Sequence, residues 1–310
     1  MRIVFMGTPA AAVPTLQQLI VAGHDIVAVW TQPDRPAGRG HKLTPSPIKE
    51  LAVSQGVTVH QPAKIKTPES IALFTSHNTD LVVVVAYGRI LPSEFLKAPK
   101  RGCINVHFSL LPLYRGAAPV NWAIVNGESR TGVTTMFIEE ELDAGPILLQ
   151  KETSIGPSET APELMARLSH TGAELLSETI DQLDTITPRP QRKRDASFAP
   201  ILRKENGLID WTSSAEAIEC RVRGLQPWPN AYTYYKGERL IVWRAEVTDE
   251  KHRTAPGEVV TAHGDDLIVK CGAENDLRLT EVQLEGKRRM SARDFLNGTH
   301  LKVGERFESA

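Results

Sequence analysis

Arg2-Ile-Val-Phe-Met-Gly-Thr-Pro9 opens the pattern that decides the fold. Residues 3–6 are apolar and of β type, and they end on a Gly-Thr-Pro turn. Val13, Leu16, Leu19 and Ile20 then recur at helical spacing until Gly23, and Ile26-Val-Ala-Val-Trp30 reads as a second buried strand. Strand, turn, helix, strand is the entry of a doubly wound α/β domain with a mostly parallel sheet. Its first turn has a single glycine, so the dinucleotide fingerprint is absent. A dehydrogenase is disfavoured, while a Rossmann-like fold stands.

Further along, Leu81-Val-Val-Val-Val-Ala86 is continuously apolar and β-branched, as expected of a strand covered on both faces. Tyr87-Gly-Arg-Ile-Leu-Pro92 follows its carboxyl end, where open α/β sheets place ligands. Cys103–His107 reads as another central strand, continuing into Phe108-Ser-Leu-Leu-Pro-Leu-Tyr-Arg-Gly116. Asn105 and His107 are two positions apart, so a strand points both side chains to one face. An amide donor and an imidazole aimed at one spot can hold a carbonyl oxygen as it gains negative charge. A further β run over 131–138 leads to Leu142-Asp-Ala-Gly-Pro-Ile-Leu148. Asp143 there could orient an imidazole on a neighbouring loop, or simply cap its own turn. Spacing does not show that Asn105, His107 and Asp143 meet.

At 310 residues the chain exceeds what one core usually holds, so two domains are expected. A hydrophobic content of 41% and a charged content of 24% are those of a globular protein. The formal net charge of −1 means that a nucleic acid partner needs local basic patches. The 3 cysteines, Cys103, Cys220 and Cys271, are far apart, which argues for a reducing compartment and against a disulfide framework or a Cys-based zinc site. The opening run is too short for a signal peptide, and no segment is long enough to span a membrane. A cytoplasmic location is therefore expected.

Two stretches carry local positive charge. Gln32 to Pro47 has prolines, glycines and basic groups but no hydrophobic period, so a long exposed loop is expected; Arg35, Arg39, His41 and Lys42 could meet phosphates there or be ordinary solvated charges. Thr187-Pro-Arg-Pro-Gln-Arg-Lys-Arg194 reads as a linker, either a solvated tether or one that adds phosphate contacts through Arg192, Lys193 and Arg194. Before it, 162–183 is a long amphipathic helix with Leu164, Met165, Leu168, Leu175 and Leu176 on its apolar side. After it, 213–222 looks helical with Ser213 or Ser214 as cap. β runs follow over 231–235, 240–245, 257–261, 267–271 and 277–282, and five such strands suggest a small barrel. Lys287, Arg288 and Arg289 could add to a nucleic-acid face or lie in a solvated turn. Trp228 and Trp243 are expected in the barrel core.

The motif Asn-Val-His-x-Ser-Leu-Leu-Pro-x-Tyr-Arg-Gly over 105–116, followed by Leu-Asp-Ala-Gly-Pro-Ile-Leu over 142–148, resembles the signature of the formyltransferases that use 10-formyltetrahydrofolate. The likeness runs along the whole chain. The Thr31–Gly40 loop, Ile209-Asp-Trp211, Arg223-Gly-Leu-Gln-Pro-Trp-Pro229 and Gly286-Lys-Arg-Arg-Met-Ser291 are similar to those members that act on initiator methionyl-tRNA. The resemblance implies a catalytic domain over 1–187, a basic proline-containing linker over 188–205 and an OB-like tRNA-binding domain over 206–310. It implies catalytic places for Asn105, His107 and Asp143, folate-binding places for Ser109, Leu110, Leu111 and Pro112, and a tRNA contact for Arg39; Arg35, Lys42, Arg192, Lys193 and Arg194 are the further basic candidates for tRNA phosphates. Phe108 departs from the small residue more frequent there, and its side chain should face away from Asn105 and His107. Leu113 replaces a frequently basic residue.

The activity implied is transfer of the formyl group of 10-formyltetrahydrofolate to the α-amino group of methionyl-tRNA, by direct attack. Asn105 and His107 would hold the oxyanion, and neither a metal nor a covalent enzyme intermediate is required. A monomer is expected. Two other classes fit parts of the chain: a folate-dependent formyltransferase acting on a small amine such as an amino sugar, and a non-catalytic RNA-binding module.

Overall fold

A computed structural model of the protein describes residues 1–37, 42–272 and 275–308. The chain divides into two compact units. One comprises residues 1–119, 130–154 and 165–200, and the other 120–129, 155–164 and 201–310.

The first unit is built on a seven-stranded sheet. Its order is Ile147–Ser154, Arg130–Phe137, Cys103–His107, Leu81–Val85, Arg2–Gly7, Asp25–Trp30 and Val59–His60. The five strands from Cys103–His107 to Val59–His60 are mutually parallel, and 130–137 and 147–154 complete one edge, each antiparallel to its inner neighbour in the sheet. Arg2–Gly7 and Leu81–Val85 lie side by side, and the chain winds outward from them in opposite directions. That is the doubly wound arrangement, with its crevice at the carboxyl ends of these two strands. A cavity of about 470 Å³ opens there, lined by Thr8, Gln32, Arg35, Ser46, Tyr87 and Gly88 among others. Residues 3–6 and all of Leu81–Val85 are buried, as continuous apolar runs require when both faces are covered.

Alternation on Cys103–His107 separates two jobs. Val106 and Phe108 are buried against Gly172 of the helix Ala161–Asp181: a Cβ at Gly172 would lie 2.8 Å from Val106 Cγ1 and 3.4 Å from Phe108 Cε1. Phe108 thus turns away from Asn105 and His107, as the sequence implies. Of the apolar stripe read from that helix, Leu164, Leu168, Leu175 and Leu176 are buried.

Where a loop is expected over 32–47, the chain forms a short antiparallel hairpin, Arg35–Ala37 with Lys42–Thr44. Pairing satisfies backbone groups that composition alone does not reveal. Ser46 then caps the next helix by accepting from the Lys49 N–H at 3.1 Å.

The second unit holds an antiparallel sheet in the order Ala231–Tyr235, Glu238–Val247, Leu277–Leu284, Asp266–Val269 and Val259–His263. The two edge strands are joined through the chain's last residues, where Glu308 bridges Tyr234 and Arg306 bridges Glu258. Edge backbone groups are thereby paired, as in a barrel-like domain. Ser214 caps the helix Ala215–Gly224 by accepting from the Ala217 N–H. The core tryptophan is Trp211, only 2% exposed, packed with Phe307. The expectation for Trp228 and Trp243 is corrected. Trp228 is 54% exposed, following Pro227 in a turn, and Trp243 is half-buried under the Arg289 guanidinium, 4.7 Å from its ring centroid. Among the described residues no helix is long and apolar enough to cross a membrane.

Candidate active site

The strand Cys103–His107 lies between Leu81–Val85 and Arg130–Phe137, with Asn105 opposite Val84 and Met136 and His107 opposite Thr134. Both side chains therefore leave the sheet at its carboxyl end. Asn105 is half-buried, and its amide has no hydrogen bond to any described residue. A half-buried amide with no partner among the described residues leaves its N–H groups free to meet a ligand.

Beyond His107 the chain folds back on itself. Ser109 Oγ donates to the Leu113 carbonyl at 2.6 Å, and Thr134 Oγ1 donates to the Ser109 carbonyl at 2.7 Å. Tyr114 then takes a left-handed conformation, φ 61°, which brings its carbonyl to 3.0 Å from His107 Nε2. A carbonyl cannot donate, so Nε2 carries the hydrogen, and Nδ1 is the ring nitrogen left for chemistry. Nδ1 stands 3.8 Å from Asp143 Oδ2, beyond hydrogen-bond range, and both side chains are largely buried. The ring is thus oriented by Tyr114, while Asp143 acts on it as a charge at short range.

Asp143 is held in turn by the backbone. Its Oδ2 accepts from the Gly116 N–H at 2.8 Å, so the motif that supplies His107 also places the carboxylate. Gly116 has φ 126°, and a Cβ there would lie 2.5 Å from the Ala199 carbonyl oxygen across the pairing of Arg115–Gly116 with Phe198–Ala199. Asp143 itself sits at φ 49°, a conformation Asp tolerates. Gly145 has no room for a side chain, because its Cβ would meet the Phe137 carbonyl oxygen at 1.9 Å.

The structure brings Asn105, His107 and Asp143 to one end of one sheet. It places the other sequence candidates differently. Ser109 and Leu111 are buried and occupied internally: Leu111 donates its N–H to Thr134 Oγ1 and its carbonyl accepts from Gln150 Nε2. Of that segment, only Leu110 and Pro112 keep partly open surface. Arg35 is exposed on the hairpin; Arg39 and His41 lie outside the described residues, as does the side chain of Lys42. Arg192, Lys193 and Arg194 are exposed, with Lys193 Nζ 2.8 Å from Glu141 and Arg194 Nε 3.6 Å from Asp195. The segment around them runs along the first unit: Arg189 and Ile147 exchange backbone hydrogen bonds, and Phe198–Ala199 pairs with Arg115–Gly116. Sequence reasoning missed the Tyr114 carbonyl and the Gly116 N–H. The Tyr-Arg-Gly spacing was visible, but which backbone groups turn inward is set by dihedral angles that a motif does not state.

Other chemistries find less support. Burial pushes the Cys103 and Cys271 thiols up to about 12, so neither supplies a thiolate nucleophile. Among the described residues no group of three or more His, Cys, Asp or Glu side chains is placed to hold a metal ion.

An amide, an imidazole and a carboxylate thus stand together at the carboxyl end of a doubly wound, Rossmann-like sheet, the place where such folds bind ligands. Residues 1–180 match the formyl transferase family, and residues 201–300 match its C-terminal domain. The chain belongs to the formyltransferase family. It is 48% identical over 308 residues to the methionyl-tRNA formyltransferase of Geobacter metallireducens, covering 99% of this chain and 98% of that one. Among solved structures it resembles WlaRD, a sugar 3N-formyl transferase crystallised with dTDP and 5-N-formyl-THF. The TM-score is 0.68 at 18% identity, over 93% of this chain and 99% of that one. HypX from Aquifex aeolicus, in complex with tetrahydrofolic acid, matches with a TM-score of 0.65 at 18% identity, over 98% of this chain; the chain spans about half of its length, 48%. These two likenesses establish the fold.

Proposed function

We propose that the protein transfers the formyl group of 10-formyltetrahydrofolate to the α-amino group of initiator methionyl-tRNA. The observation that carries this reading is 48% identity to a methionyl-tRNA formyltransferase, end to end in both chains. The geometry agrees with it. The three loops around the site, 87–92, 109–115 and 139–145, each leave a large apolar side chain exposed: Ile90, Leu113 and Leu142. Such surfaces suit a flat heteroaromatic donor, and the Asn105 amide, unbonded among the described residues, suits its formyl oxygen.

In the reaction the neutral amine attacks the formyl carbon, and negative charge gathers on the formyl oxygen. The Asn105 amide donates to that oxygen, and His107 can donate to it through Nδ1–H once Nδ1 has taken the proton of the attacking amine. The bond from formyl carbon to folate nitrogen then breaks. The nitrogen that gains the formyl group loses one hydrogen and the nitrogen that loses it gains one, so no net proton is consumed. His107 Nδ1 is the ring position that can carry it.

Arg35, Arg39, Lys42, Arg192, Lys193 and Arg194 are assigned to tRNA phosphates, residues 1–187 to catalysis, 188–205 to the connection and 206–310 to tRNA binding. The protein acts as a monomer in the cytoplasm. The test is formylation of methionyl-tRNA with 10-formyltetrahydrofolate; absence of formyl-methionyl product refutes the reading. Arg39→Ala separates acceptor classes: it lowers the rate on charged tRNA and spares a small amine acceptor. An equal rate on tRNA removes Arg39 from its role.

A further inference from the structure

We propose that Gln191 is the positioning residue for Asp143, and that the basic, proline-containing segment around it is a strap across the site. The proposal rests on the role given above to Asp143. The Gln191 amide uses all of its hydrogen-bonding capacity. Its Oε1 accepts from Arg115 Nε at 3.0 Å and Nη2 at 2.8 Å, and its Nε2 donates to the carbonyls of Asp143 at 2.9 Å and Gly145 at 2.8 Å. The orientation is unique: turned over, the amide would set hydrogens against a guanidinium and an oxygen against two carbonyls.

These contacts join the two halves of the site. Arg115 is buried, 3% exposed, and directly follows Tyr114, whose carbonyl orients His107. Asp143 is the residue whose carboxylate faces the same ring. One side chain thus ties the guanidinium of the residue next to the imidazole's anchor to the backbone of its charge partner. Its neighbours repeat the stitching: Arg189 bonds to Ile147, Lys193 to Glu141, and Ser197 Oγ accepts from the Tyr114 N–H at 2.9 Å. A side chain that merely filled space would have no reason to bind the carbonyl of Asp143 itself.

Gln191→Glu is the discriminating variant. It keeps the shape and the Arg115 contact, and it replaces both N–H donors with an oxygen facing two carbonyls. In the full-length protein kcat falls about tenfold to a hundredfold, the loss typical of a displaced catalytic group, while KM for the folate donor and for tRNA stays unchanged. Amide hydrogen exchange quickens over residues 141–147 only. In an Asp143→Asn background the same change adds no further loss of kcat, since the residue it acts through is already disabled. An unchanged kcat, unchanged exchange at 141–147, or an equal loss in both backgrounds overturns the proposal. If Asp143→Asn alone leaves kcat intact, the reading of Asp143 fails and takes this proposal with it. If only Gln191→Glu is silent, the positioning role fails alone.

Discussion

His107 offers a substrate one nitrogen, because the Tyr114 carbonyl occupies the other. Orientation is therefore set before any ligand arrives, and the imidazole spends little freedom at the moment of reaction. Asn105→Ala and His107→Ala should each lower kcat by about a hundredfold or more, the usual cost of one oxyanion donor, with thermal stability close to the parent. Near-normal turnover in either variant removes that residue from the catalytic set. Gly116→Ala tests the backbone that supports them. At φ 126° and 2.5 Å from the Ala199 carbonyl, an added methyl must displace the Arg115–Gly116 pairing and with it the N–H that holds Asp143. Both kcat and the midpoint of unfolding should fall, with a stability loss of about 1–3 kcal/mol for the strained position. A variant with unchanged stability and turnover would show that the loop relaxes freely.

Elements were legible to different degrees. Arg2–Gly7, Leu81–Val85 and Cys103–His107 announce themselves because burial on both faces demands unbroken apolar runs, and this demand is local. The hairpin Arg35–Ala37 with Lys42–Thr44 does not, since its pairing is made by backbone atoms that every residue has. Trp30 illustrates a contact no pattern predicts. Its Nε1 donates to His77 Nε2 at 3.3 Å, and the His60 ring lies tilted beside both, its centroid 5.2 Å from each. Burial holds both imidazoles below the ordinary 6.5, with His60 and Arg2 adding to the effect at His77. The unfolded chain thus binds more protons than the folded one once the pH drops below 6.5, so stability declines on acidification from that point down through the depressed folded values. Protonating His77 also removes the acceptor for Trp30. The midpoint of thermal unfolding should drop as pH falls through 6.5, and the doubly substituted His60→Asn, His77→Gln protein should show a flatter acid limb. Identical acid limbs would mean that other groups control it.

On the scale of the molecule, a formal charge of −1 leaves no general field for RNA, so the proposed tRNA affinity calls for local basic groups, and Arg35 and Arg192 to Arg194 are the proposed ones. The logarithm of kcat/KM for charged tRNA should fall linearly with the logarithm of salt concentration, each lost phosphate contact contributing about 0.7–0.9 to the slope, whereas a small amine acceptor should show little salt dependence. Parallel slopes for the two acceptors would count against phosphate contacts. Local residue patterns sufficed for the doubly wound sheet, the antiparallel second unit, the common face of Asn105 and His107 and the family, because apolar period, strand alternation and a dense motif are properties of neighbouring residues. Packing of the folded chain set the rest: Asp143 stands 3.8 Å from the imidazole without bonding to it, Tyr114 chooses the ring nitrogen, and Gln191 reaches back across 48 positions to the Asp143 carbonyl. Those are meetings of chain segments distant in sequence, and they depend on left-handed turns and close backbone approaches that arise when the whole unit packs.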